Sequence, residues 1–161
     1  MFSDALAMWR TFTRSLVGGT SPSQLAAGFT LGMIIGIVPK ANLIALALCV
    51  LLFSLRCNKV AGVVAAIAFS YVGHWIDPFS HKLGLAVLSI HPLQGFYSSA
   101  FNLPLGPWLG FNNTVVMGSL LLGLYVAYPV FWLSRQVFVW LRPTFANVPR
   151  TDSDLQPGAA A

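Results

Sequence analysis

The chain has 161 residues, of which 57% are hydrophobic and only 8% charged, and its formal net charge is +5. Ordinary soluble domains carry about 25% charged residues, so the composition excludes a typical water-soluble protein and predicts an all-α, polytopic membrane protein. The nine basic residues are scattered beside apolar runs, whereas nucleic-acid binding needs a clustered basic stripe, so no nucleic-acid partner is expected.

The first segment, residues 1–19, is predicted to be an amphipathic helix in the headgroup region of a bilayer. Its apolar side chains recur at helical spacing on one face, at Phe2, Ala5, Leu6, Trp9, Phe12 and Leu16. A cytoplasmic extension of the first span is the alternative. Arg10 and Arg14 interrupt any apolar core here, so no cleavable signal peptide is expected.

A glycine-rich helical hairpin follows, with segments at about 24–38 and 41–55. Ser21, Pro22 and Gln24 form the sequence signature of a capped helix start, and Pro39 ends or kinks that helix. Each segment has about fifteen residues and covers about 22 Å, against about 30 Å for the hydrocarbon core. The hairpin is therefore either two short crossings or a re-entrant loop, and length slightly favours re-entry.

Three glycines of the hairpin, Gly28, Gly32 and Gly36, recur at every fourth residue and share one helix face. Such a stripe allows another backbone to approach closely, and helix packing is its expected role. The alternative is a surface on which a lipid or substrate chain lies against the backbone.

Two polar breaks interrupt the apolar sequence. Lys40 and Asn42 lie at the hairpin tip, and Asn112 and Asn113 precede the last span. We hypothesise that these four residues bind substrate, because polar breaks in two halves of a transporter often mark its site. A lysine that reaches the interface and asparagines that cap helices are the alternatives.

The rest of the predicted transmembrane domain (20–145) has spans at about 60–76 and 114–134, the second kinked at Pro129. Asp77–Pro78 predicts a helix end and a new helix, which opens an external interfacial region at 77–112. Residues 146–161 have the composition of a disordered tail.

The basic residues predict the orientation. Those near the termini and in the loop after the hairpin can share one side: Arg10, Arg14, Arg56, Lys59, Arg135, Arg142 and Arg150. The positive-inside rule then places both termini in the cytoplasm.

Catalytic and metal-binding patterns are weak. His74, Asp77 and His81 would share a face only if Pro78 did not break the helix, so they are weak metal candidates and no metal is expected. The sequence contains no catalytic triad, nucleotide-binding loop or cysteine metal spacing. A non-enzymatic protein without a cofactor is predicted.

Several of these motifs together resemble an uncharacterised bacterial family, the domain-of-unknown-function family numbered two-thousand-sixty-two, in its small stand-alone inner-membrane branch. The matching positions are Ser21-Pro22, Ala27-Gly28-Phe29, Gly32, Gly36, Pro39-Lys40-x-Asn42, Leu55-Arg56-x-Asn58, Asp77-Pro78 and Phe111-Asn112-Asn113-Thr114-Val115-Val116. The chain departs from the broader family at Asp77, where many members have Asn, and at Lys40-Ala41-Asn42, in a region where they have proline and glycine. The resemblance implies a multi-pass protein of the bacterial inner membrane and assigns no activity. Some relatives join this domain to glycosyltransferase modules, which suggests a role with envelope lipids or glycans.

Two functions are expected. The first is handling or transport of a phospholipid or another envelope amphiphile, by a homo-oligomer or beside a larger envelope protein. The alternative is a structural anchor or assembly subunit whose glycine stripe docks a partner helix. The sequence identifies neither the substrate nor the partner.

Overall fold

The structure is a computed structural model that describes residues 20–110 and 112–146. The predicted interfacial helix (1–19) and nearly all of the predicted tail lie outside these residues. The elements are α1 (Pro22–Ile37), α2 (Leu43–Ser54), α3 (Lys59–Leu88), a 3₁₀ turn (His91–Leu93), α4 (Gln94–Phe101), α5 (Gly106–Leu109) and α6 (Thr114–Ala146). The all-α prediction is confirmed for the described part of the chain.

The start of α1 has the predicted chemistry. The Ser21 hydroxyl accepts a hydrogen bond from the Gln24 N–H at 3.2 Å, and the Gln24 side chain accepts one from the Ser21 N–H at 2.9 Å. Pro22 occupies the first turn, where no backbone donor is needed. The helix ends at Ile37, just before Val38 and Pro39. The capping signals therefore located this helix within two residues.

Three helices, α1, α3 and α6, form the packed body of the protein. Gly28 lies against Asn58 at the start of α3, and Gly36 lies against Phe69 further along, so α1 and α3 run parallel. Helix α6 runs antiparallel to both, because Gly118 near its start lies against Ser80 and Arg135 near its end reaches Ser23. Helix α2 returns the chain from the end of α1 to the start of α3.

The glycine stripe explains the contact between α1 and α3. A methyl group on Gly28 would collide with the Asn58 carbonyl, and one on Gly32 would collide with the Gly62 carbonyl. At Gly36 it would lie 2.6 Å from the Phe69 Cβ. All three glycines thus face α3 of the same chain, at backbone-to-backbone distance.

A second close crossing joins α3 and α6, and the sequence analysis missed it. A methyl group on Gly84 would collide with the Thr114 carbonyl, and one on Gly118 would collide with the Ser80 carbonyl. The signal was present, since Ser80 and Gly84 are four residues apart, as are Thr114 and Gly118. Pairs of small residues at this spacing are typical of close helix contacts in membranes.

Helix α3 corrects one prediction. Asp77–Pro78 was expected to end a helix and begin another, but α3 is continuous from Lys59 to Leu88 with Pro78 inside it. Proline in a helix interior costs about 3 kcal/mol because it removes a hydrogen bond and clashes with the preceding turn. Here Gly73 packs on α1 and Ser80 on α6, on either side of Pro78. Tertiary packing therefore outweighs the local preference.

The last helix is longer than the predicted segment 114–134. It reaches Ala146 and passes through Pro129 without ending. Phe138, beyond the predicted end, makes an edge-to-face contact with Phe29 of α1, with ring centroids 6.2 Å apart. This aromatic contact packs the extended part of α6 against α1.

Two helices are long and apolar enough to cross a membrane by length and composition, Lys59–Leu88 and Thr114–Leu141. Helices α1 and α2 are apolar but shorter. Residues 91–110, which belong to the predicted external interfacial region, form the 3₁₀ turn, α4 and α5.

Candidate functional site

The hairpin tip is a tight turn held by Asn42. Its side-chain oxygen accepts a hydrogen bond from the Ala45 N–H at 2.8 Å, which caps the start of α2. Its amide nitrogen donates to the Pro39 carbonyl, which closes the turn. Asn42 is therefore used structurally, and its half-buried side chain forms part of the tip surface.

Lys40 lies at the same tip and is exposed. Its ammonium donates a hydrogen bond to the Gly36 carbonyl at 3.0 Å, a carbonyl in the last turn of α1. A cation there interacts favourably with the negative end of the helix dipole. An ammonium has three donors, so this contact leaves two N–H groups of Lys40 for a ligand.

A loop from a distant part of the sequence packs against the tip. Gly110 has a φ of +71° and follows α5, and a methyl group on it would lie 3.4 Å from the Asn42 Cβ. The positive φ favours glycine at this point of close approach. Leu109, the preceding residue, packs against the core cluster that contains Ile44 and Val116.

This arrangement forms an apolar groove of about 460 Å³, which we call the tip groove. Its walls come from both sides of the contact, and the lining residues are Ala41, Asn42, Leu43, Leu46, Leu105 and Trp108. Trp108 is 72% exposed and stands at the edge. The tip groove is thus an apolar groove with one polar residue, Asn42, in its wall. This combination suits an amphiphile. The sequence analysis missed Leu105 and Trp108.

Asn112 and Asn113 are both exposed at the start of α6. The Asn113 side-chain oxygen accepts a hydrogen bond from the Val115 N–H at 2.9 Å, so it caps this helix. The two polar breaks lie at the same end of the molecule, since Gly110 contacts Asn42. Asn42 and Asn113 nevertheless bond to their own turns and not to each other.

Asn58 is a buried polar junction at the opposite end of α1. Its backbone N–H donates to the Gln24 carbonyl at 3.0 Å. Its side chain accepts from the Ala61 N–H at 2.8 Å and donates to the Thr20 hydroxyl at 3.2 Å. Asn58 therefore caps α3 and fixes the start of α1 beside it. The resemblance includes this residue, but its sequence position gave no sign of these contacts.

The three weak metal candidates are not brought together. The His74 ring and the Asp77 carboxylate lie 3.7 Å apart on the exposed side of α3. The His81 ring instead hydrogen bonds to the Thr114 hydroxyl on α6. Within residues 20–110 and 112–146, no group of three metal-binding side chains is found.

Comparisons with known proteins give a family match. The sequence model of a family described as "Uncharacterized protein conserved in bacteria (DUF2062)" matches residues 9–144. An "Uncharacterized protein" of Treponema pallidum (strain Nichols) is 28% identical over 122 residues, which cover 76% of this chain and 75% of that protein. No solved structure matches the chain significantly.

Proposed function

This chain belongs to the DUF2062 family of bacterial proteins, and we propose that it is a non-enzymatic, multi-pass protein of the inner membrane that binds an anionic phospholipid. The observation that carries this proposal is the tip groove, whose apolar wall includes Ala41 and Asn42, the two residues that follow the exposed Lys40. A headgroup phosphate would bind at Lys40 while an acyl chain lies along Leu43, Leu46 and Trp108. Transport or transfer of that lipid with a larger envelope partner is the role we assign to it.

The exposure of apolar surface supports the membrane location. Only 22% and 28% of the most apolar windows of α3 and α6 are buried, whereas the core helix of a soluble protein would be mostly buried. Trp75 and Trp108 lie towards the hairpin tip, and Trp132 and Trp140 towards the other end, and all four are exposed. Tryptophan at both ends of an apolar body is typical of the two membrane interfaces.

The basic residues support the predicted orientation. Arg56 and Lys59 flank the loop that holds Asn58, and Asn58 bonds to the start of α1. Arg135 reaches the same region through a 3.2 Å bond to the Ser23 hydroxyl. This end would be cytoplasmic by the positive-inside rule, and the tip groove would then face the periplasm.

Of the two interpretations of the hairpin, the packing supports a full crossing better than re-entry. Ile37, at the end of α1, lies against Gly73 of α3, and the first charged residue after the apolar part of α3 is Asp77. Lys40 therefore lies near the level of Asp77, where the apolar part of α3 ends. The sixteen residues of α1 span about 24 Å, so the bilayer would be thin here.

Labelling from the two sides of the membrane tests this crossing. In a Lys40→Cys, Cys49→Ala chain, an impermeant thiol reagent added to the periplasmic side is expected to label residue 40 and not the native Cys57. Cys57 lies beside Arg56, at the other end of α2, and serves as the internal control for the cytoplasmic side. Labelling of residue 40 only after the membrane is dissolved would contradict a full crossing.

Lipid binding tests the groove. Lys40→Gln is expected to weaken binding of fluorescent phosphatidylglycerol to purified protein in nanodiscs by about fivefold, since one cation near anionic headgroups contributes about 1 kcal/mol. Binding of a zwitterionic lipid should change little. Trp108→Ala removes one apolar wall and should weaken both lipids.

The matched control is Lys82→Gln, which removes an exposed lysine on α3, whereas Lys40 directly precedes the groove residues Ala41 and Asn42. If Lys40→Gln and Lys82→Gln weakened phosphatidylglycerol binding equally, the effect would come from general surface charge. That result would contradict a specific site at Lys40. Asn42→Ala is less informative, because Asn42 also holds the turn. Unchanged phosphatidylglycerol binding and flux in Lys40→Gln would reject the proposed function.

The alternative function is a structural anchor whose glycine stripe docks a partner helix. The stripe faces α3 of the same chain at all three glycines, so a partner would need another surface. This occupancy makes lipid binding the better supported of the two.

A further inference from the structure

The outer face of α6 carries a row of one leucine and three aromatic residues that the proposed function does not use. We call Leu121, Tyr125, Tyr128 and Trp132 the tyrosine strip. Their spacing of four, three and four residues is that of a helix–helix seam. Tyr125 and Tyr128 are 83% and 77% exposed, and neither hydroxyl bonds to a residue in the described part of the chain.

The position of these hydroxyl groups is unusual for a lipid-facing surface. The part of α6 between Thr114 and Arg135 carries no charged residue. Tyr125 lies about halfway along it, about 15 Å from either end. Tyrosine favours the interface, where its hydroxyl is hydrated, and a hydroxyl left unbonded in hydrocarbon is costly. The strip therefore needs a partner that offers hydrogen bonds.

A groove lies directly beside the strip, between α3 and α6. It holds about 550 Å³, and its lining residues are Phe79, Leu83, Leu121, Leu122 and Tyr125. The same patch thus contains a projecting ring and a hollow next to it. A surface with both features can pair with itself about a two-fold axis, because each copy fills the hollow of the other.

From these features we infer that the tyrosine strip binds a second copy of this chain. Two copies inserted in the same direction relate by an axis along the membrane normal, so like residues meet at equal depth. A tyrosine hydroxyl both donates and accepts hydrogen bonds, so a tyrosine can satisfy its own counterpart. Arg135 bonds to Ser23 of its own α1, which keeps this charge beyond the end of the strip. The inference rests on the proposed membrane location and not on the lipid site.

Disulfide cross-linking in native membranes tests the interface. In a Cys49→Ala, Cys57→Ala chain, Tyr128→Cys is expected to form a cross-linked species of twice the 17.4 kDa chain mass on mild oxidation. The control is Ile67→Cys, which is 59% exposed on the outer face of α3 and should remain monomeric. No dimer from Tyr128→Cys, equal dimer from both variants, or a cross-link to a different protein would each overturn the inference.

A second measurement keeps both native cysteines. The Tyr125→Phe, Tyr128→Phe chain retains the rings and loses the hydroxyl groups, and its self-association in detergent is expected to be about fivefold weaker, the size of one or two interhelical hydrogen bonds. Unchanged self-association of this variant would contradict the inferred pairing of tyrosine hydroxyl groups at the interface. Its phosphatidylglycerol binding per chain should stay unchanged, which separates the dimer from the lipid site.

Discussion

Replacing Gly32 with alanine is expected to remove a large part of the stability of the protein. The added methyl group would collide with the Gly62 carbonyl and would lie 2.9 Å from the Ala65 Cβ. Overpacking usually costs about 1–3 kcal/mol, and here the obstacle is backbone, which cannot rotate away. We expect the free energy of unfolding to fall by about 3 kcal/mol or more, out of a total of about 5–15 kcal/mol for a typical protein. Denaturation of purified protein in mixed micelles measures the change.

The matched control is Gly95→Ala. Gly95 also lies in a helix, α4, but an added methyl group there would meet no atom within 4 Å. Alanine is the better helix former by about 1 kcal/mol, so this exchange should be neutral or slightly stabilising. Similar unfolding curves for the two variants would mean that α1 and α3 do not pack through the glycine stripe.

Asn58→Ala is expected to have the second largest effect, a loss of about 2–3 kcal/mol. The exchange removes the cap of α3, which contributes about 1 kcal/mol in most proteins. It also removes the bond to the Thr20 hydroxyl from a site where Asn58 is 5% exposed, and a hydrogen bond lost at a buried residue adds a further cost. The same denaturation experiment gives the value.

Asn113→Ala provides the comparison for Asn58, because Asn113 caps α6 from an exposed position. Water can replace the lost bond there, so a loss of only about 1 kcal/mol is expected. Asn58→Ser keeps an acceptor for the cap and should restore part of the stability. Equal losses for Asn58→Ala and Asn113→Ala would show that the buried junction adds nothing beyond capping.

Local chemistry explains how much of the fold the sequence predicted. The start of α1 depends on Ser21 and Gln24, three residues apart, and its end depends on Val38 and Pro39, so neighbouring residues carry the information. The error at Pro78 has the opposite cause. The contacts that keep α3 continuous come from α1 and α6, and their positions relative to Pro78 cannot be read from nearby residues.

The residues of the candidate site also divide into those that the sequence predicted and those that it missed. Lys40 and Asn42 stood out because a cation and a proline interrupt an apolar run. Asn42 lines the tip groove, and Lys40 directly precedes the lining residue Ala41. Leu105 and Trp108 complete that groove from more than fifty residues away. As apolar residues in an apolar chain, they carry no distinguishing signal of their own. The contact of Gly110 with Asn42 and the packing of Leu109 on the core cluster bring them into place.

The antiparallel packing of α6 on α1 has a consequence for biosynthesis. The first described helix finds one of its main neighbours in the last one, through Ile34 with Gly123 and Ser23 with Arg135. Translation adds about 5–20 residues per second, so α1 emerges on the order of ten seconds before α6. During that interval its α6-facing side chains lack their partner. The bundle therefore closes only when synthesis is almost finished, and a nascent chain that stalls before Thr114 remains incomplete.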